Sequence, residues 1–283
     1  MLQSIDHVVL LTPGLSAAQT AYADVFGASP VWRARDGAAG TETALFDAGG
    51  TGLELLAPRG EGSGASRVRE LIGEGEGKVA SLAFKTADIE ATARSLARRG
   101  LAPDDITEGE STDLETGAVR RWRRVRCSDE ATAGTKIFVL QYTEDKCARP
   151  SPPHGGITAL DHLVIETPNP DRAAALYGAR LGLRLALDRT AEQWKTRFLF
   201  FRIGSVTLEV IHRLGHDYDP SAPDKIWGAT WETDDLEAAH ARLTEAGRNI
   251  SDIRTGRKPG SRVFTLRDRT SGVPTLFIAH EKR

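Results

Sequence analysis

The sequence predicts an α+β chain made of four βαβββ units in two tandem halves, and three observations predict it. The stretch "SIDHVVLLTP" (3–12) returns as "ALDHLVIETP" (159–168), placing His162 155 positions after His7. Glu54 in "GTGLELLAP" and Glu209 in "GSVTLEVIH" are separated by the same 155 positions, so the His-to-Glu spacing is 47 in both copies. A second pair of segments, "KTADIEATARSLARRG" (85–100) and "ETDDLEAAHARLTEAG" (232–247), matches at its own fixed offset. Self-similarity over such distances marks a repeated structural unit.

Each element follows from local chemistry. The first and third units open with β-branched, apolar runs at 4–11 and 159–166, read as strands. A helix is expected at about 15–26 and at 170–181, followed by three strands ending in "LELLA" or "TLEVIH". In the second and fourth units a short strand ends in Thr, and acidic residues then open a helix that stops at Gly. The acids suit a helix N-terminus and the Gly its C-terminus. Ile89, Ala93 and Leu96, like Leu236, Ala239 and Leu243, recur at helical spacing. Polar extended text follows, "GAVRRWRRVRC" (117–127) and "GSRVFTLRD" (260–268), and each half closes on an apolar strand, "TKIFVLQY" (135–142) or "VPTLFIAH" (273–280). The expected division is a first domain over 1–146 (units 3–58 and 78–143), a Pro/Gly linker over 147–156, and a second domain over 157–283 (units 159–213 and 225–281).

Composition narrows the function classes. The 283 residues are 40% hydrophobic and 27% charged, with a net charge of −2, so no basic face for nucleic acid is expected. No run approaches the roughly 20 apolar residues of a membrane span, and no signal peptide is read at the start. Cys127 and Cys147 form no motif, so two reduced thiols in a cytoplasmic protein are expected.

The repeats and their "IDHVVL…GLELLAP", "LDHLVIETPNPDRAAALYGARLGLRL" and "TDDLEAAHARLTEAG" text resemble the vicinal oxygen chelate superfamily. That superfamily holds glyoxalase I, bleomycin-resistance proteins, epimerases and extradiol dioxygenases. The resemblance covers nearly the whole chain. It implies two glyoxalase-like domains, in each of which two units curl into an open barrel around a cavity. It also implies metal-ligand positions at His7, Glu54, His162 and Glu209. Imidazole nitrogen with carboxylate oxygen suits Zn, Ni, Co, Mn or Fe.

The facing units supply no matching donors: Ser81 and Gly228 stand at the first-strand position, Phe138 and Phe277 at the last. Pairing of neighbouring units, favoured by short connections, then leaves half a site per barrel. Pairing of unit one with unit three would instead gather a His₂Glu₂ set. Gly228 and Phe277 also remove the iron ligands of the extradiol branch. His212 and His280 are read one residue off the inward face of their strands.

Two functions are carried forward. One is a divalent-metal-dependent lyase, isomerase or epimerase acting on a small carbonyl-bearing substrate, with Glu54 or Glu209 moving the proton. The other is a metal-free protein that sequesters a small molecule, as bleomycin-resistance relatives do. Arg121, Trp122, Arg123 and Arg197 are candidate ligand-binding residues. Glu42 is a candidate cavity acid, and "GRKPGSR" (256–262) a candidate phosphate loop. The expected partner is a small molecule, with a homodimer among the states the resemblance allows.

Overall fold

The computed structural model describes residues 1–281. In the first half, β1 (Ser4–Leu11), α1 (Leu15–Phe26), β2 (Trp32–Asp36), β3 (Thr41–Ala48) and β4 (Thr51–Pro58) form one βαβββ unit. After α2 (Ser63–Ile72) come β5 (Lys78–Lys85), α3 (Ile89–Arg98), β6 (Thr107–Thr112), β7 (Val119–Arg126) and β8 (Lys136–Asp145). The second half repeats the order with β9 (Ile157–Glu166), α4 (Pro170–Ala173), β10 (Arg184–Ala191), β11 (Thr196–Ile203) and β12 (Val206–Arg213). It closes with β13 (Lys225–Thr233), α5 (Leu236–Glu245), β14 (Arg254–Thr255), β15 (Ser261–Leu266) and β16 (Thr275–His280). α4 continues as a π-helical stretch over Ala174–Arg180, so the helix expected at 170–181 is present but wound in two ways.

The helix starts were legible. Asp88 and Asp235 each accept a backbone N–H three residues on, both at 2.8 Å, and Asn169 does the same for α4 at 3.0 Å. α1 ends at Gly27, whose φ of 69° is the left-handed cap only glycine adopts freely.

Two eight-stranded sheets result, in the orders β2-β3-β4-β1-β5-β8-β7-β6 and β10-β11-β12-β9-β13-β16-β15-β14. Unit one therefore pairs with unit two, and three with four, through the antiparallel β1–β5 and β9–β13 ladders. His7 and Glu54 belong to one sheet and His162 and Glu209 to the other, so the four do not form a joint His₂Glu₂ set. The helix-bearing faces of both sheets share one core, in which Phe26 of α1 packs 5.1 Å from Trp231 of β13. Arg248, fully buried, seals the join by donating to Ala21 O, Asp24 and Asp268 O. The opposite faces carry both His–Glu pairs. Among the described residues no helix is long and apolar enough to cross a membrane.

Candidate functional site

The Asp-His pairs sit on β-bulges. In the β1–β5 ladder Ile5 stands opposite Phe84 and His7 opposite Ala83, which leaves Asp6 as the extra residue. In the β9–β13 ladder Thr230 stands opposite His162 and Trp231 opposite Leu160, which leaves Asp161 extra. A bulge re-aims a side chain that strict alternation would send to the other face. Each Asp thereby reaches its neighbouring imidazole: Asp6 Oδ2 lies 2.7 Å from His7 Nδ1, and Asp161 Oδ1 lies 2.6 Å from His162 Nδ1. The carboxylate fixes the ring and leaves Nε2 free for a second partner.

That nitrogen faces the glutamate in both halves. His7 Nε2 is 3.5 Å from Glu54, and His162 Nε2 is 3.4 Å from Glu209. The parallel ladders explain the repeat, since Glu54 stands opposite Val9 and Glu209 opposite Val164, each two residues past its histidine. Thr230 adds a hydroxyl 2.9 Å from His162 Nε2.

Burial disfavours charge on His7, but the hydrogen bond to Asp6 and the charge of Glu54 outweigh it and raise its pKa. Asp161 is likewise held far below the usual carboxylate range: burial opposes ionisation, and the bonds from His162 and His280 overcome it. Glu209 moves the other way, because burial raises its pKa more than His162 lowers it.

The facing strands supply little. Phe138 stands opposite Ala83, and the equivalent rung of the second sheet sets Leu276 opposite Thr230. Leu276 rather than Phe277 thus matches Glu209. Phe277 lies on the helix-bearing face, stacked 4.6 Å from Phe264. A shift of one residue exchanges the faces of a strand, and the same shift brings His280 inward, where its Nε2 lies 2.9 Å from Asp161. At Gly228 a Cβ would meet the Pro274 carbonyl oxygen at 2.8 Å, so that rung is closed to any longer side chain without backbone movement. Each half therefore presents one histidine and one glutamate at the expected ligand positions. That donor set does not fit a bound metal, which requires at least three protein ligands at a catalytic site.

The surroundings differ between halves. In the first, β2 reaches β6: Trp32 Nε1 donates to Ser111 at 2.9 Å, Arg33 N to Asp113 at 2.8 Å, and Leu114 N to Arg33 O at 2.8 Å. Arg120, buried at 8% exposure, stacks on Trp32 and donates to the Tyr142 hydroxyl at 2.6 Å. Tyr142 in turn donates to Asp6 at 2.9 Å. Helix α2 packs Val68 against Val9 and Leu11, on the same side of the sheet as His7.

In the second half no backbone hydrogen bond joins β10 to β14 among the described residues. No helix intervenes between β12 and β13. The wall beside Glu209 is aromatic: Phe200 stands opposite it and stacks on Phe198, with Trp194 edge-on at 6.0 Å. Arg257 lies over the half-exposed Trp194 at 4.5 Å.

The remaining candidates scatter. Trp122 packs against Tyr142, whereas Arg121 is held by Glu110 and Glu144 and Arg123 by Glu90 of α3. Arg197 lies on the helix-side face, bound by Asp188 and Asp171 at 2.9 Å each. Glu42 shares the parity of buried Ala44 and Phe46 rather than that of Leu45, and pairs with Arg59. The "GRKPGSR" cations diverge, Arg257 to Trp194, Lys258 to Asp161 and Arg262 to Glu237, so they form no phosphate cradle. Sequence reasoning missed Asp6 and Asp161, although both precede the repeated histidine. It also missed Tyr142, Thr230 and Glu232, and gave His280 no role in a site.

The profile of the glyoxalase-like domain family matches residues 5–181, and that of the glyoxalase/bleomycin resistance protein/dioxygenase superfamily matches residues 161–265. No curated protein sequence matches the chain. Among solved structures, a triple mutant of 4-hydroxymandelate synthase from Streptomyces coelicolor is similar with a TM-score of 0.70 at 13% identity, covering 99% of this chain and 94% of that one. A xylose isomerase-like TIM barrel/4-hydroxyphenylpyruvate dioxygenase fusion protein gives a TM-score of 0.63 at 14% identity, covering 100% of this chain and 49% of that one. At such identities the likeness is one of fold.

Proposed function

The chain belongs to the glyoxalase-like domain family, and from that premise we propose that its second half-barrel binds a small carbonyl-bearing molecule and moves a proton on it, the chemistry of an isomerase or epimerase. The observation that carries this is the half-buried relay Asp161–His162–Glu209, in which Asp161 fixes the imidazole and Glu209 is pushed toward its protonated form. A carboxyl whose pKa is raised by burial, beside an imidazole nitrogen 3.4 Å away, is matched to taking a proton and returning it. The Thr230 hydroxyl beside Nε2 orients the ring further. The Phe198–Phe200 wall offers an apolar, aromatic contact for the rest of the molecule. No metal ion is invoked at His162 and Glu209, because their donor set stops at two.

The test is proton exchange in D₂O. Small 2-oxo acids, aldehydes and aryl ketones are incubated with the protein, and loss of the proton next to the carbonyl is followed by NMR. Exchange is expected to fall about 100-fold or more in Glu209→Gln and to persist in Glu54→Gln. Saturable quenching of tryptophan fluorescence without exchange by any compound overturns proton transfer in favour of a sequestering protein, a role the open aromatic wall equally serves.

A further inference from the structure

We propose that Asp161, Glu232 and His280 form a divalent metal site on the floor of the second half-barrel, one step along the sheet from the His162–Glu209 pair. The three come from adjacent strands β9, β13 and β16, and one donor atom from each lies within 4.8 Å of the others. His280 Nε2 is 2.9 Å from Asp161 Oδ2. The other Asp161 oxygen is tied to His162, so this carboxylate is already oriented. Three protein ligands of mixed nitrogen and oxygen character leave open positions, which suits Zn²⁺, Ni²⁺ or Mn²⁺.

Two independent observations mark the spot as one that demands positive charge. The first is Lys258, whose ammonium stands 3.6 Å from Asp161 Oδ2 and 3.4 Å from His280 Nε2. It extends from the loop between β14 and β15 and is half exposed, so it can leave without disturbing the sheets. The second is the equivalent place in the first half. The repeat sets Lys85 where Glu232 stands, and the matching ladders (Lys85 opposite Leu140, Glu232 opposite Ile278) set Tyr142 where His280 stands. There Asp6 is satisfied by the Tyr142 hydroxyl, with Lys85 5.5 Å from the Tyr142 ring and Arg120 behind it. The first half thus carries its cations in the scaffold. The second replaces Lys85 with an acid and Tyr142 with an imidazole, and keeps only a movable lysine.

Binding must displace the Lys258 ammonium from between Asp161 and His280, so removing that side chain should favour the metal. The site shares Asp161 with the proton-transfer reading but not Glu209, so Glu209→Gln tells the two apart.

The experiment is calorimetric titration of the chelator-treated, full-length chain with ZnCl₂, NiCl₂ and MnCl₂, with metal content measured after dialysis. About one equivalent is expected in the native chain. Glu232→Gln and His280→Ala should each weaken binding by more than about 100-fold, beyond the loss of an outer-shell partner. Lys258→Ala should tighten it, and Glu209→Gln should leave it unchanged. Metal-free thermal melts and near-UV circular dichroism check that the variants fold. Absence of stoichiometric binding in both the native chain and Lys258→Ala overturns the site. Loss in Glu209→Gln with retention in His280→Ala relocates the ion to His162 and Glu209, and overturns the proton-transfer reading as well.

Discussion

The two halves contain the same Asp-His bulge and put it to different use. Around Asp6 the chain closes: Tyr142 and Arg120 cover the second carboxylate oxygen, Trp32 stacks on Arg120, and β2 meets β6. Around Asp161 it stays open: a histidine and a surface lysine take the second oxygen, and among the described residues no hydrogen bond like that of Trp32 with Ser111 closes the outer strands. The bulge persists because it is set by the central ladder of each sheet, where neighbouring strands dictate register. What surrounds it is set by outer strands and loops, which the two halves do not share. A repeated motif therefore reports a repeated geometry, and the neighbours decide which partners that geometry meets.

The largest effect should come from completing the closed half. Ser81 and Phe138 occupy the rungs that face His7 and Glu54. Ser81→His combined with Phe138→Glu should give a four-donor site and add about one equivalent of bound Zn²⁺, measured by metal analysis after dialysis. The corresponding change in the open half, Gly228→His with Leu276→Glu, should add none, because the Pro274 carbonyl lies where the new Cβ must go. Equal gains in both halves would show that the ladders are more pliable than the register implies.

Next is Arg120. Its guanidinium is buried, lies 3.1 Å from Asp145, bonds Tyr142 and stacks on Trp32. Arg120→Ala leaves the Asp145 and Asp6 carboxylates short of a partner and should cost about 3–5 kcal/mol in urea unfolding. Its functional opposite, Arg257 over Trp194, is a half-exposed stacking contact, and Arg257→Ala should cost no more than about 1 kcal/mol. A similar loss at both would mean that the second barrel is held as tightly as the first.

The histidine and glutamate of each half were legible because a 47-residue spacing kept twice is hard to produce by accident. The capped helices α3 and α5 were legible for a chemical reason, the Asp ahead of each apolar stripe. Strand parity was less so. Nothing in "VPTLFIAH" says that the ladder begins at Thr275, and one residue of error sent Phe277 inward and His280 outward. The roles of Asp6 and Asp161 escaped because alternation assigns neighbours to opposite faces, and a bulge is a property of the strand pair. Arg121, Arg123 and Arg197 were misplaced for a related reason: charge density marks a strand as polar but does not say which acids lie beside it. Those acids, Glu110, Glu90 and Asp188, come from other elements.

The smallest predicted effect concerns pH and the first half alone. The pKa of His7 is raised against the cost of burial by its bond to Asp6 and by Glu54. A group whose folded pKa exceeds its unfolded value contributes stability that is complete below about pH 6.5 and is lost as pH rises through the folded midpoint. NMR of the His7 ring should give a midpoint above about 6.5, and urea stability of the native chain should decline across that interval. Asp6→Asn removes the bonded carboxylate, so the midpoint should fall and the decline should flatten, while Asp161→Asn should leave the His7 titration where it is. A His7 midpoint unmoved by Asp6→Asn would assign the raised pKa to Glu54, and would make the glutamate rather than the bulge the principal partner of the imidazole in the closed half.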